Sequence, residues 1–146
     1  MGPAVPEVST SAGRVRGGVE HGNAVFRGIP FAKPPLGDLR FQAPVSADRW
    51  DGVRDTAKFG PQAPQAAFPA IPGAVPLPED TTGEWLTVNV WTPDPEARSL
   101  PVMVWIHGGA NRAGSARGTV ESSLAEQGVV LVSIQYRTTI FAERDL

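Results

Sequence analysis

The chain contains no cysteine among its 146 residues, and its only histidines are His21 and His107. The absence of cysteine excludes disulfides, a thiol nucleophile and cysteine-based metal sites. Because the two histidines lie far apart in sequence, a histidine-based metal site is not expected either. We therefore predict a protein without a metal ion, and no residue pattern calls for a cofactor.

Long apolar runs and clusters of one charge are also missing. No apolar stretch approaches the roughly 20 residues that a membrane-spanning helix needs, and residues 1–6 lack the basic start and apolar core of a signal peptide. Basic and acidic residues nearly balance, at 13 against 15, with no basic block of the kind found on nucleic-acid surfaces. These absences predict a cytoplasmic protein that binds neither nucleic acid nor a membrane, and they leave its oligomeric state open.

Glycine and proline, in contrast, are abundant, with 16 and 15 residues. Both residues interrupt regular structure, and they recur most densely over residues 30–79, which predicts a long irregular loop. A loop of this length is usually functional or packed over a core. The chain length itself is enough for one domain with a core of its own.

The hydrophobic pattern predicts several strands and one helix. Residues 8–29 alternate in short segments separated by turn residues, which is typical of a small antiparallel hairpin. Three later strands are predicted at 86–91, 102–106 and 129–134. The last two are almost wholly apolar, as in strands covered on both faces. A helix at 119–127, ended by Gly128, lies between them. This order predicts an α/β fold.

The strand predicted at 102–106 leads into His107-Gly108-Gly109-Ala110, the most informative motif of the chain. Glycines at the end of a buried strand leave peptide N–H groups uncovered, and two such donors can stabilise the negative oxygen of a tetrahedral intermediate. The motif therefore indicates acyl-transfer chemistry. An ordinary tight turn at the glycines, and a hydrogen-bonded histidine at the strand end, are the alternative interpretations.

A nucleophilic serine for such chemistry is not found in the sequence. The nucleophile elbow of serine hydrolases needs the pattern Gly-x-Ser-x-Gly, because the serine sits in a strained strand-to-helix turn. Ser11 has Ser9 in the position of the first glycine, and Ser115 has Ala113 there. Neither serine fits, so we predict no catalytic residue within the chain.

Five ordered motifs nevertheless resemble the N-terminal portion of the type-B carboxylesterase and cholinesterase family, which has the α/β-hydrolase fold. They occupy residues 26–41, 50–61, 86–93, 102–110 and 127–137. The resemblance covers roughly residues 13 to 137. It identifies residues 1–146 as a partial carboxylesterase domain with an off-pattern tail at 138–146.

The resemblance implies hydrolysis of small-molecule carboxylic esters by a serine, a histidine and an acidic residue. On the family's pattern, the N–H groups of Gly109 and Ala110 form the oxyanion hole, while His107 and Gly108 shape the loop. His107 is then not the catalytic base, because the family's base lies near the C-terminal end of a much longer chain. Without the serine, acid and base, the chain is expected to be inactive alone.

Departures from the family pattern carry further expectations. Ala63 and the segment Gly83-Glu84-Trp85 stand where the family usually has the two cysteines of a disulfide, and their joint absence fits a reducing compartment. Asn111 replaces the aromatic residue that usually follows the oxyanion loop. The pattern is lost after Arg137, which suggests a truncated esterase or a shifted reading frame. The alternative is a non-catalytic binding or scaffold module that reuses the front half of the hydrolase fold.

Overall fold

A computed structural model describes residues 5–65, 83–117 and 122–138. Within these ranges the chain forms eight strands arranged in two sheets. The strands are β1 (Glu7–Ser9), β2 (Arg14–Arg16), β3 (Gly18–Glu20), β4 (Asn23–Pro30), β5 (Val53–Asp55), β6 (Thr87–Thr92), β7 (Val102–Ile106) and β8 (Val130–Ile134). Two short 3-10 helices occupy Gly37–Leu39 and Ser122–Gln127.

The N-terminal strands form two antiparallel hairpins where the sequence predicts one. β1 pairs with β2, and β3 pairs with β4. The first hairpin belongs to a small sheet of order β1-β2-β5, in which β5 runs parallel to β2. Val15 of β2 is fully buried there, and the Trp50 indole donates a hydrogen bond to the Arg14 carbonyl at 2.9 Å. The second hairpin leads into the larger sheet.

The larger sheet has the order β3-β4-β6-β8-β7. Its last pair, β8 and β7, is parallel, and the other pairs are antiparallel. A parallel pair needs a crossover connection, and the 3-10 helix Ser122–Gln127 lies in this one. The predicted α/β fold is confirmed, and the three predicted strands are found with bounds within one residue of the prediction.

The helix predicted at 119–127 differs in type. Residues 119–121 lie outside the described residues, and Ser122–Gln127 is a 3-10 helix of six residues. This is longer than most helices of this tighter kind, which usually extend over about three or four residues. Gly128 ends the helix as predicted, with φ of 84° and its N–H bonded to the Ala125 carbonyl at 3.0 Å.

The core is divided among three clusters of buried side chains. In the first, Ala125 of the 3-10 helix Ser122–Gln127 packs against Val25, Trp91 and Leu131 of the larger sheet. In the second, Ala63 and Trp85 are buried together with Ala32 and Leu86. Apolar packing therefore occupies the place where the family resemblance would put a disulfide. The third cluster is Val15, Ala24 and Phe26.

β7 is not covered on both faces, contrary to the prediction from its apolar sequence. It lies at the edge of the larger sheet, and Val102, Val104 and Ile106 are 62%, 53% and 62% exposed. Within the described residues, β8 is the one strand paired with β7. Among the described residues, the apolar run therefore forms an open face and an open edge of the sheet. None of the described helices combines the length and apolarity required to cross a membrane.

Candidate functional site

The candidate site is the loop of residues 107–117, which leaves the C-terminal end of β7. Its backbone adopts left-handed conformations at four residues: Gly109 (φ 125°), Ala110 (φ 55°), Asn111 (φ 59°) and Gly114 (φ 117°). Left-handed residues other than glycine cost on the order of 1–3 kcal/mol each and persist only where their surroundings impose them. Two such residues in succession, Ala110 and Asn111, therefore mark a loop held in shape by its contacts.

The peptide that joins Gly109 to Ala110 has its two polar ends on opposite sides. The Gly109 carbonyl accepts hydrogen bonds from the N–H groups of Arg112 (2.9 Å) and Ala113 (3.1 Å). Because the peptide is trans, the Ala110 N–H points away from these partners. Gly109 and Ala110 are exposed, and among the described residues neither N–H donates a hydrogen bond. Both of the predicted donors are thus open to an external acceptor.

Glycine is required at position 109. A Cβ built there would lie 1.9 Å from the Ala113 carbonyl oxygen, which belongs to the backbone and cannot swing aside. The φ of 125° is also unfavourable for any residue with a side chain. Gly108, which the resemblance assigns to loop shaping, is exposed and has open space where a Cβ would be.

His107, the first residue of the loop, is buried. Its ring stacks on the Tyr136 ring with centroids 4.2 Å apart, and its Nδ1 lies 2.9 Å from the Gly108 carbonyl oxygen. The Tyr136 hydroxyl donates a hydrogen bond to the His107 carbonyl at 2.6 Å. The Nε2 atom is buried and has no hydrogen-bond partner within the described part of the chain. The buried ring is therefore held by Tyr136 and by the start of the loop itself.

Gln65 binds the loop at Gly114, a contact that was not predicted from the sequence. Its carboxamide accepts the Gly114 N–H at 2.9 Å and donates to the Gly114 carbonyl at 3.0 Å. A Cβ at Gly114 would lie 2.3 Å from both the Gly108 oxygen and His107 Nδ1, so this residue is packed directly against the start of the loop. Gln65 and Gly114 are 49 residues apart, and no local pattern links them.

A buried polar network anchors the end of the loop. The Ala116 N–H donates to the Gln135 side chain at 2.8 Å, and the Ser133 hydroxyl donates to the Ala116 carbonyl at 3.3 Å. Asn89 joins this network by donating to the Ser133 hydroxyl at 3.0 Å, and its own oxygen accepts the Gly28 N–H at 2.9 Å. The strand sequences of β6 and β8 contain Asn89 and Ser133, but their role was not predicted.

The two serines considered as nucleophiles lie in separate loops of the structure. Ser11 lies exposed in the turn between β1 and β2, and the Ser115 hydroxyl accepts the Arg117 N–H at 3.0 Å. Over residues 5–65, 83–117 and 122–138, no hydrogen bond joins either hydroxyl to a histidine. The same ranges contain no group of three or more histidine, aspartate or glutamate residues that could hold a metal ion.

The predicted off-pattern tail is described only at its first residue. Thr138 is buried, and its hydroxyl donates to the Pro64 carbonyl at 2.9 Å. Residues 139–146 lie outside the described residues. The start of the tail is therefore packed against the segment that also carries Gln65.

Comparison with known proteins shows that this chain is similar to carboxylesterases. Residues 4–142 match the model of the carboxylesterase family. The phenmedipham hydrolase of Pseudarthrobacter oxydans is 42% identical over 142 residues, which is 90% of this chain and 28% of that protein. The para-nitrobenzyl esterase of Bacillus subtilis is 41% identical over 133 residues, which is 89% of this chain and 27% of that protein.

Solved structures show the same relationship. A carboxylesterase of Geobacillus stearothermophilus matches with a TM-score of 0.78 and 37% identity, over 92% of this chain and 27% of that one. A PNB esterase structure matches with a TM-score of 0.80 and 39% identity, over 90% and 28%. The chain therefore spans little more than a quarter of the length of the proteins that it matches.

Proposed function

Since the chain belongs to the carboxylesterase family, we propose that it is part of a serine-dependent carboxylic ester hydrolase and that its β7 loop stabilises the oxyanion. The substrate class is small-molecule carboxylic esters. The observation that carries the proposal is the pair of N–H groups at the exposed residues Gly109 and Ala110, which have no hydrogen-bond partner among the described residues.

The loop geometry supports this role because it fixes the donors before any substrate arrives. The Gly109 carbonyl is turned inward by two hydrogen bonds, so the Ala110 N–H of the same peptide is directed outward. Donors fixed in advance need no reorganisation when negative charge develops on the substrate oxygen. Ala110, where the family has glycine, is an exposed residue, and its N–H has no hydrogen-bond partner among the described residues.

Within this mechanism, His107 shapes the loop and does not take up the proton of the nucleophile. The stacking on Tyr136, the burial of Nε2 and the contact of Nδ1 with the Gly108 carbonyl oxygen support this assignment. Gly108 continues the loop without a side chain that could cover the donors. The serine, the acid and the base are proposed to lie in residues outside the present sequence, which contains no Gly-x-Ser-x-Gly pattern. A cytoplasmic location remains our proposal, based on the missing cysteines.

The alternative function is a non-catalytic binding or scaffold module. The exposure of β7 argues against a stand-alone monomer, because an open apolar strand edge is a template for pairing with other chains. A monomer of residues 1–146 that unfolds in one cooperative transition would favour the scaffold module over the hydrolase.

Two assays of p-nitrophenyl ester hydrolysis test the proposal. The 146-residue chain by itself should show no turnover above buffer. Turnover that a serine-reactive fluorophosphonate abolishes would contradict this expectation and reveal a nucleophile within the chain. In the second assay, the chain replaces the matching segment of the Bacillus subtilis esterase, which gives a hybrid enzyme. A folded hybrid that binds the fluorophosphonate but hydrolyses no ester would count against the proposed oxyanion loop.

A further inference from the structure

One side chain from a distant segment holds both polar groups of Gly114. The Gln65 Oε1 atom accepts the Gly114 N–H at 2.9 Å, and Gln65 Nε2 donates to the Gly114 carbonyl at 3.0 Å. The same Nε2 atom donates to the Ala63 carbonyl at 3.1 Å, which orients the carboxamide within its own segment. A paired contact of this kind fixes both the position and the orientation of the Gly114 backbone.

Gly114 is connected to the oxyanion donors by consecutive backbone contacts. It follows Ala113 directly, and the Ala113 N–H holds the Gly109 carbonyl at 3.1 Å. That carbonyl belongs to the peptide whose other end is the Ala110 N–H. Gly114 also packs against the Gly108 oxygen, with no room for a Cβ between them. A shift of Gly114 is therefore transmitted to both ends of the short segment that carries the donors.

We infer that Gln65 is a positioning residue for the oxyanion loop, an assignment that rests on the proposed function. Its carboxamide keeps Gly114 in place, so that the strained conformations of Ala110 and Asn111 persist and the Ala110 N–H stays directed outward. Gln65 touches no reacting atom itself. It acts through Gly114 and Ala113 on the peptide between Gly109 and Ala110.

Gln62 provides a matched control in the same segment. It is the same residue type, lies three positions earlier and is 4% exposed. Its Oε1 atom has no hydrogen-bond partner among the residues that the structure describes, and its side chain makes no hydrogen bond to the loop there. Gln62→Met and Gln65→Met therefore change the same chemistry in the same segment, but only the second removes the contacts to Gly114.

The test on the 146-residue chain is amide hydrogen exchange at Gly114, followed by NMR. Gln65→Met should raise the exchange rate about 5- to 10-fold, the usual effect of losing one hydrogen bond on a local opening equilibrium. Gln62→Met should leave the rate unchanged. Gln65→Glu replaces the Nε2 donor by a carboxylate oxygen, which faces the Gly114 carbonyl oxygen and repels it, so its exchange rate should also rise, and this variant carries the test if Gln65→Met does not fold. An unchanged rate in Gln65→Met, an equal rise in Gln62→Met, or an unchanged rate in Gln65→Glu would overturn the inference.

The functional measurement uses the hybrid enzyme. Gln65→Met should lower kcat about 10-fold with KM nearly unchanged, because positioning of the oxyanion donors affects the transition state more than the bound ester. A purely structural role would instead lower the unfolding midpoint and leave kcat per folded molecule intact. If exchange at Gly114 responds as expected but no hybrid hydrolyses ester, the proposed function fails while the role of Gln65 in the loop stands.

Discussion

Adding a methyl group at Gly109 should impair the loop, whereas removing the methyl group of Ala110 should leave it intact. Gly109→Ala places a Cβ 1.9 Å from the Ala113 carbonyl oxygen and 2.6 Å from its carbonyl carbon, at a φ of 125°. Both obstacles are backbone atoms, so the loop itself has to move. Ala110→Gly removes a methyl group at a φ of 55°, a conformation that glycine adopts readily.

The size of each effect follows from these geometries. A residue with a side chain at the φ of Gly109 costs about 1–3 kcal/mol, and overpacking against Ala113 costs roughly a further 1–3 kcal/mol. This is enough to displace the peptide that carries the Ala110 N–H. Loss of one oxyanion donor typically lowers kcat about 100- to 1,000-fold. Ala110→Gly keeps the N–H and relieves strain, so its kcat should stay within roughly 3-fold of the parent.

The assay is p-nitrophenyl ester hydrolysis by the hybrid enzyme carrying each substitution, with urea unfolding measured in parallel. Gly109→Ala should lose kcat far beyond any loss of folded protein, and Ala110→Gly should behave like the parent. Gly109→Ala could instead retain kcat within a factor of about 2, although its Cβ clashes with Ala113. In that case the peptide between Gly109 and Ala110 does not bind the oxyanion. Equal losses in both variants would show instead that the Ala110 methyl group is needed.

Two further predictions concern stability and association of the chain. Asn89→Ala breaks hydrogen bonds to Gly28 and Ser133 in a buried network, so it should lower the free energy of unfolding by about 2–4 kcal/mol. Urea denaturation measures this effect, and a loss below about 0.5 kcal/mol, the range of an ordinary surface substitution, would contradict it. Ile106→Lys on the exposed face of β7 should leave that free energy nearly unchanged and reduce self-association, as measured by light scattering at increasing concentration. A loss of several kcal/mol would mean that β7 is covered in solution.

The strand sequences predict their own bounds well because the signal is local. β6, β7 and β8 are found within one residue of the positions that their apolar patterns indicate. The sequence also predicts Gly128 as the helix end and the loop after β7. The burial of these strands is predicted less well. In β6 the polar Asn89 is buried, and its cross-strand partner is Ser133.

Local patterns along the chain were sufficient for the three later strands, the family resemblance and the residues of the candidate oxyanion loop. What holds that loop in shape became visible only in the folded chain. Gln65 reaches Gly114 across 49 residues, and Tyr136 reaches His107 across 29. Such contacts depend on how the chain is brought together by strand pairing and packing, whereas hydrophobic periodicity and turn residues report only on near neighbours. For the same reason, the edge position of β7 could not be inferred from its apolar sequence, because exposure depends on what the rest of the chain places against it.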